Sequence, residues 1–315
     1  MNPAAFEHHH ACFDAVEVIR KHAVEGLRPI PEFLTNFLGV KIDPMFLPEV
    51  LRGREGQIEP VPIPANWHAD IAEWGGVLRA VDLAPGPRFV MAELGCGWGC
   101  WMSNSGTAAR STGLAPRLLG VEGDEGHCEF ARQCLRTNGF NDGQFDILRG
   151  IAGVRSGQAL FPKQKQAGIA WGLEPILDPS PDQVSQAGTS GTHDAIQMVG
   201  LGRLFDGEKR IDLLHVDIQG GELALLESAV ALLNERVAYI VVGTHSREIE
   251  GSLFSLLLGH GWFLEIERPA FLSLDNSARP SVTVDGVQGW RNPRLLPVKT
   301  KLLERLRLSL IRFRC

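Results

Sequence analysis

Short apolar runs alternate with segments of helical periodicity along most of the chain. The runs that begin at Phe89, Arg117, Ile211 and Val237 are typical of parallel strands covered on both faces of a sheet. Further strands are predicted near 145–152, 195–199, 262–266 and 281–284, with a turn at 285–286 after the last of them. The pattern predicts an α/β fold built on a mostly parallel sheet.

Two packing helices are predicted before the first of these strands. Their apolar positions recur at helical spacing, as Cys12, Val16, Ile19, Ala23 and Leu27 in one and as Ala65, Ile71, Trp74, Leu78 and Val81 in the other. The proline-rich segment 29–64 between them predicts a folded-over connector with short helical turns that forms part of a lid. We therefore divide the chain into a helical extension or cap at 1–85, a main domain at 86–296 and a tail at 297–315.

A glycine-rich loop follows the first strand. Glu93 ends the apolar run, and Gly95, Gly97 and Gly99 follow at alternate positions. Glycines there let the backbone turn tightly and approach a ligand. A dinucleotide loop needs G-x-G-x-x-G/A, but Cys100 stands where its last small residue would be. A P-loop needs G-x-x-x-x-G-K-S/T, but no Lys follows these glycines. A turn without a ligand stays open as the alternative.

This E-x-G-x-G-x-G loop resembles motif I of the class I methyltransferases that use S-adenosylmethionine (SAM). The resemblance implies that the loop residues Gly95, Cys96, Gly97, Trp98 and Gly99 bind the cofactor and that Glu93 lies near its positively charged end. It also implies a Rossmann-like sandwich with a seven-stranded, mostly parallel sheet in the order 3-2-1-4-5-7-6, the last strand being antiparallel.

The next strand carries an acidic residue at its end. In a right-handed βαβ unit, Glu122 lies beside the first loop and can accept hydrogen bonds from both ribose hydroxyls, unless it is an ordinary exposed strand-end residue. Asp124 is predicted to cap the following helix. By analogy with the family, Ile151 and Ala152 contact the adenine.

A second motif is more specific than the glycine loop. The segment 213–222, Leu-Leu-His-Val-Asp-Ile-Gln-Gly-Gly-Glu, resembles the FkbM-type methyltransferases, which O-methylate hydroxyls of sugars and polyketide-type natural products. The resemblance covers roughly residues 86–293. His215 and Gly221 stand where the family often has Lys and Ala or Tyr, and His215 is expected to point away from the cofactor as a structural residue. The segment 244–250 is less typical of the family.

The strand of this motif and the strand beside it each end in a candidate catalytic residue. Asp217 and His245 end adjacent strands, which lie about 4.8 Å apart, so both side chains can converge on the methyl group. We predict His245 as the general base and Asp217 as the residue that orients it or the acceptor, or alternatively that Asp217 contacts the cofactor and His245 binds the substrate. A divalent cation such as Mg²⁺ is not favoured; its ligands would be Asp217, Glu222 and His245, although helix-dipole stabilisation already accounts for Glu222.

The polar segment at about 156–194 is predicted to be an insertion. It starts near the carboxyl ends of the strands, where ligands bind in open α/β sheets, so we expect it to shape the acceptor pocket with Phe161 and Trp171 as apolar walls. A surface excursion without a role stays equally open.

Composition narrows the function. The net charge of −6 predicts no nucleic-acid partner, because such a partner selects a basic surface. The six cysteines lack zinc-ligand spacing and favour a reducing cytoplasm. We therefore predict a cytoplasmic SAM-dependent O-methyltransferase that acts on a small-molecule or glycan acceptor in polysaccharide or natural-product biosynthesis. A noncatalytic, methyltransferase-like protein that binds a glycan or a partner is the alternative.

The C-terminal tail at 299–315 is basic and amphipathic. Leu302, Leu303, Leu306, Leu310 and Phe313 share one face of a helix, and six Lys or Arg residues accompany one acid. Docking on its own domain or on a second subunit of a homo-oligomer is the favoured prediction. Peripheral contact with an anionic membrane at its inner face is the other.

Overall fold

The computed structural model describes residue 6 and residues 8–297. Its strands, in chain order, are β1 His10–Ala11, β2 Leu34–Thr35, β3 Lys41–Ile42, β4 Arg88–Leu94, β5 Ala115–Glu122, β6 Phe145–Arg149, β7 Ile151–Ala152, β8 Gly157–Pro162, β9 Ile176–Leu177, β10 His193–Val199, β11 Leu213–Val216, β12 Tyr239–Thr244, β13 Phe263–Arg268, β14 Phe271–Leu274, β15 Pro280–Val284 and β16 Gly286–Arg291. Its α-helices are α1 Ala15–Lys21, α2 Pro48–Leu51, α3 Ile71–Leu83, α4 Cys100–Ser111, α5 Glu125–Thr137, α6 Pro181–Ser190, α7 Leu201–Leu204, α8 Glu222–Ser228, α9 Val230–Arg236 and α10 Arg247–Gly259.

The main sheet has the strand order of a class I methyltransferase. Over the described residues its order is β1-β13-β16-β12-β11-β4-β5-β6. The strands β6, β5, β4, β11 and β12 are parallel, and β16 is antiparallel to β12 and β13 on either side of it. This order confirms the predicted 3-2-1-4-5-7-6 arrangement, and the two-residue strand β1 extends it by pairing with β13.

Each central strand divides its side chains between two apolar cores. In β4, Phe89 and Met91 pack into the core on one face, whereas Val90 and Ala92 pack into the core on the other. This division follows from the two-residue repeat of a strand and explains why the run is apolar at every position. The parallel strands therefore end together at one edge, with their terminal side chains close to one another.

The last strand of the main sheet was placed wrongly by the sequence pattern. Residues 281–284 were predicted to form it, but β15 pairs with β14 in a separate two-stranded sheet. The strand that lies between β12 and β13 is β16, and residues 285–286, predicted as a turn, lead directly into it. Every residue of β16 is buried, so the strand has no polar alternation for a sequence pattern to detect.

The two N-terminal helices form, but each is shorter than its apolar spacing predicted. The first spans Ala15–Lys21, and the second begins at Ile71 rather than Ala65 because Asp70 caps it, accepting from the backbone N–H groups of Ala72 and Glu73. Asp124 caps α5 as predicted, by accepting from His127 N. The extent of the predicted N-terminal cap stays a prediction, although α3 packs on the main sheet.

The predicted insertion at about 156–194 is ordered in the structure. It contributes β8, β9 and α6, and the strands join β7 and β10 in a second sheet of order β7-β10-β8-β9. No helix among the described residues is long and apolar enough to cross a membrane. The predicted amphipathic tail at 299–315 lies outside the described residues.

Candidate functional site

The glycine loop between β4 and α4 requires glycine for two physical reasons. Gly95, Gly97 and Gly99 have φ values of +74°, +52° and +73°, in the left-handed region that L side chains rarely adopt. A Cβ atom on Gly95 would overlap the backbone oxygen of Asp217, and one on Gly97 would lie 2.9 Å from the Trp171 ring. The loop therefore packs directly against the end of β11 on one side and the insertion on the other.

A cavity of 440 Å³ opens beside this loop, over the carboxyl ends of β5, β6 and β11. Several residues that the sequence predicted to bind the cofactor or the acceptor line it together, namely Gly95, Gly97, Glu122, Ile151, Ala152, Phe161, Trp171 and Asp217. Its volume lies in the range of small-molecule sites. The structure thus brings the ribose and adenine candidates to one cavity.

Glu122 is held rigidly at the wall of this first cavity. Its carboxylate accepts from Gly97 N at 2.9 Å and from Asp124 N at 2.8 Å, and the residue is only 8% exposed. Burial raises the pKa of this carboxyl group. Because each carboxylate oxygen has two acceptor sites, both oxygens can still accept from a ligand hydroxyl.

Glu93 lies beneath the loop and accepts hydrogen bonds from backbone N–H groups at the start of α4. Its two oxygens accept from Trp101 N at 3.2 Å and Met102 N at 2.8 Å, which are free N–H groups of the first helical turn. Burial raises the pKa of Glu93 to about 7. The residue also lines a second cavity, so the predicted proximity to the charged end of a cofactor stays a prediction.

The second cavity, of 380 Å³, lies on the other side of the glycine loop. Its walls are aromatic and polar, and they include Trp67, His68, Trp98, Trp101, Arg268 and Asp285. Gly95, Gly97, Trp171 and Asp217 line both cavities. The two cavities therefore meet at the glycine loop and at Asp217. Cys96 and Trp98, predicted as cofactor residues, line only the second cavity.

His215 was expected to point away from the cofactor as a structural residue, and it lies in the lining of the second cavity, not the first. His215 Nε2 lies 3.0 Å from Glu73 Oε1 in the lining of the second cavity. Although burial alone would lower it, the contact with Glu73 raises the pKa of His215. Residues 215 and 217 are two apart in an extended segment, so they share a face.

Glu73 is a residue of the site that the sequence did not indicate. It accepts from Trp101 Nε1 at 3.0 Å as well as contacting His215. Its helix was assigned to packing, and only the tertiary fold brings α3 against β11. An acidic residue in the first turn of this mostly apolar helix was the signal available.

His245 lies between carboxylates from three different segments. Its Nδ1 is 2.8 Å from Glu222 Oε1, and its Nε2 is 3.3 Å from Asp217 Oδ1 and 3.8 Å from Asp285 Oδ2. Although burial alone would lower it, Asp217 and Glu222 raise the pKa of His245 to about 10. Burial likewise opposes the shift at Asp217, whose pKa His245 holds below its usual value.

One donor atom from each of Asp217, Glu222 and His245 lies within 4.8 Å of the others, so these side chains could hold a metal ion. Their exposures differ. The side chain of Asp217 is 46% exposed to the cavities, that of His245 is 14% exposed and that of Glu222 is fully buried. Of the three, only Asp217 lines the cavities, and the other two lie behind it.

Trp171 of the insertion covers the junction of the two cavities. Its ring stacks on His127 with the centroids 3.9 Å apart and the planes 5° apart, and its Nε1 donates to Gly168 O at 3.2 Å. The predicted apolar wall at Trp171 is therefore anchored to α5 of the main domain. Phe161, the other predicted wall of the acceptor pocket, lines the first cavity and not the second.

Comparison with known proteins identifies relatives of the chain. No protein-family model matches it, so the FkbM-type resemblance stays an interpretation of the motifs. A protein of Jannaschia sp. (strain CCS1) named "Putative methyltransferase" is 44% identical over 275 residues, which are 87% of this chain and 98% of that protein.

Two solved structures to which the chain is similar are much more distant. Precorrin-6y C5,15-methyltransferase from Geobacter metallireducens GS-15 is 10% identical with a TM-score of 0.37, covering 68% of this chain and 86% of that one. The C-terminal domain of precorrin-6Y C5,15-methyltransferase from Rhodobacter capsulatus is 14% identical with a TM-score of 0.37, covering 72% and 90%.

Proposed function

Because the chain belongs to the methyltransferase family of its 44% identical relative, we propose that it transfers a methyl group from SAM to a hydroxyl oxygen of a sugar, a glycan or a related natural product. The observation that carries this proposal is the meeting of two cavities at the glycine loop, with Asp217 in the lining of both. A two-substrate transfer needs two adjoining sites, and the reacting atoms must approach each other at their junction.

The first cavity and the glycine loop suit SAM. Glu122 would accept from the ribose hydroxyls, and Ile151, Ala152 and Phe161 would cover the adenine with apolar surface. The left-handed glycines let the backbone approach the rest of the molecule, with Cys96 and Trp98 on the side of the second cavity. When bound, SAM supplies a methyl group activated by its sulfonium.

The second cavity suits a sugar-like acceptor. Trp67 lines this cavity and stacks on the buried Trp98, with the ring centroids 6.2 Å apart and the planes 22° apart. The partly exposed Trp67 ring can pack against the C–H face of a sugar ring. Asp285 supplies an exposed carboxylate that can accept hydrogen bonds from hydroxyls. A cavity that combines aromatic faces with hydrogen-bonding groups favours a polyhydroxylated acceptor over a purely apolar one.

Asp217 is the group best placed to meet the acceptor hydroxyl. His245 was predicted to take the proton, but an imidazole with a pKa of about 10 is already protonated at neutral pH. We therefore assign the hydrogen bond from the acceptor hydroxyl to Asp217 and treat His245 as the residue that positions Asp217. Orientation of the two reactants supplies most of the rate, roughly 7–11 kcal/mol of the barrier.

A methyl-transfer assay tests this proposal. The full-length protein is incubated with SAM carrying a labelled methyl group and a panel of sugar alcohols, glycosides and phenols, and transfer is measured with S-adenosylhomocysteine release. We expect transfer to a hydroxylated member of the panel and its loss in Asp217→Asn, with Glu227→Gln, an exposed change on α8, as the control. Transfer only to nitrogen or carbon acceptors would contradict the assignment of O-methylation. SAM binding with no transfer to any acceptor would favour the noncatalytic binding protein.

A further inference from the structure

The cluster of Asp217, Glu222 and His245 contains polar atoms that form no hydrogen bond within the protein. Among the described residues, Glu222 Oε2, His245 Nδ1 and His245 Nε2 are buried polar atoms without a hydrogen-bond partner. Buried polar atoms are nearly always paired, so three such atoms on two touching side chains call for an explanation.

The short contacts within the cluster do not supply that explanation. Glu222 Oε1 lies 2.8 Å from His245 Nδ1, and Asp217 Oδ1 lies 3.3 Å from His245 Nε2. Neither ring nitrogen points at the oxygen beside it closely enough to form a directed hydrogen bond. This geometry is expected of metal ligands, whose N and O atoms point at a shared ion rather than at one another.

The charge of the cluster also calls for a cation. The carboxylates of Asp217, Glu222 and Asp285 surround a single imidazole, and Glu222 is fully buried. Buried charges are found paired or bound to metals, because an unpaired charge in a low-dielectric interior is costly. Arg268, which lines the second cavity, is already paired with Asp70.

We propose that Asp217, Glu222 and His245 bind one divalent transition-metal cation next to the junction of the two cavities, on the inner side of Asp217. A ligating imidazole nitrogen carries no proton, so the cation would displace the proton that His245 holds in its absence. Their candidate donor atoms lie within 4.8 Å of one another. One imidazole nitrogen with two carboxylate oxygens favours Mn²⁺ or Zn²⁺ over Mg²⁺ and Ca²⁺, which prefer oxygen ligands alone. Three protein ligands leave coordination positions open for water or for a substrate oxygen.

The position gives the cation a role that rests on the proposed function. Asp217 lines both cavities, so a cation bound to it would lie next to the position where we place the acceptor hydroxyl. A metal ion lowers the pKa of an oxygen that it binds, which would make the hydroxyl a better nucleophile without a free general base.

Metal binding is tested directly on the full-length protein, without an activity readout. After chelator treatment and its removal, Mn²⁺ binding is measured by electron paramagnetic resonance and Zn²⁺ binding by calorimetry. We expect one equivalent to bind to the wild type and binding at least about tenfold weaker in Glu222→Gln and His245→Asn. Glu227→Gln is the matched control on the same helix and should bind as the wild type does.

Glu222→Gln is the most informative variant. Glu222 Oε1 accepts from Ile218 N and Gly220 N, and the amide oxygen of Gln can retain both bonds, so we expect the loop to stay folded. Circular dichroism of the metal-free proteins checks this expectation. Wild-type affinity in both ligand variants, or no stoichiometric binding to the wild type, would overturn the metal site.

The proposed metal site and the proposed methyl transfer can be tested independently of each other. Calorimetry with S-adenosylhomocysteine on the metal-free protein reports on the first cavity alone. Cofactor binding without metal binding would overturn the metal site and leave the proposed function standing. Metal binding without cofactor binding would uphold the cation site and remove the role in methyl transfer that we give it.

Discussion

At the residue scale, the site depends on acidic side chains whose environments differ. Glu122 and Glu93 end neighbouring strands, and each accepts two backbone N–H bonds, but burial raises the pKa of Glu93 to about 7. The sequence predicted that both would lie at the cofactor site, because strand ends of a parallel sheet meet at one edge. It did not indicate the partners of Glu93, since a helix N-terminus carries no special residue for this contact.

The buried carboxyl group of Glu93 predicts a pH dependence of stability. Between about pH 4.5, its ordinary pKa, and about pH 7, the folded protein keeps a proton that the unfolded chain has released. The free energy of unfolding therefore falls as the pH rises through this window, by up to about 3 kcal/mol.

The measurement is urea unfolding of the wild type and Glu93→Gln at pH 5 and pH 8. We expect the variant to lose less stability than the wild type over this interval, because glutamine does not titrate. Glu129→Gln, an exposed change on α5, should show the wild-type dependence. Equal pH dependence in the wild type and Glu93→Gln would show that this carboxyl group is not the source.

At the element scale, the strand–loop–helix unit from β4 to α4 was the most predictable part of the molecule. Its strand is apolar at almost every position, and its glycines have left-handed φ values that the sequence motif required. In contrast, β16 was missed because its residues are all buried and two of its six residues are glycine. Periodicity identifies an element only where one of its faces is polar.

The close packing of the glycine loop predicts that one methyl group added at Gly95 disrupts the loop. Gly95→Ala places a Cβ atom on the Asp217 backbone oxygen at a φ of +74°, so the loop or β11 must shift. We expect SAM affinity to fall at least about tenfold and the protein to be destabilised by more than about 1 kcal/mol. Calorimetry and urea unfolding measure the two effects.

The control for this change is Gly251→Ala in α10, where a Cβ atom meets nothing within 4 Å. This variant should bind SAM normally and gain about 0.5–1 kcal/mol of stability, because alanine has the higher helix propensity. Normal SAM binding by Gly95→Ala would show that the loop does not hold the cofactor.

At the scale of the whole molecule, segments far apart in sequence complete the site. The α3 helix contributes Glu73, the insertion contributes Trp171, and the segment before β16 contributes Asp285. The sequence predicted the order of the main sheet and Trp171 as a wall of the pocket, but it did not indicate Glu73 or Asp285. Two-residue strands such as β1 and β9 have no periodicity, and contacts such as Trp171 with His127 join elements whose pairing depends on the tertiary fold.

The position of Trp171 predicts that its replacement weakens the binding of both SAM and the acceptor. It lines both cavities and stacks on His127, so Trp171→Ala should weaken SAM binding by about tenfold and acceptor binding as well. Ile169→Ala, a half-exposed change in the same segment, should weaken neither. Calorimetry with S-adenosylhomocysteine measures the first effect. Unchanged affinity in Trp171→Ala would show that the insertion does not cover the bound cofactor.

In the proposed function the cavity beside the glycine loop binds SAM, and equilibrium calorimetry of the full-length protein with SAM, S-adenosylhomocysteine and NAD measures this binding. We predict one site for SAM and its product and none for NAD. Glu122→Gln should lower the affinity by roughly 10–100-fold through the lost charged hydrogen bonds, and Glu129→Gln should not change it. Binding of NAD alone, or SAM affinity that is unchanged in Glu122→Gln, would contradict the account.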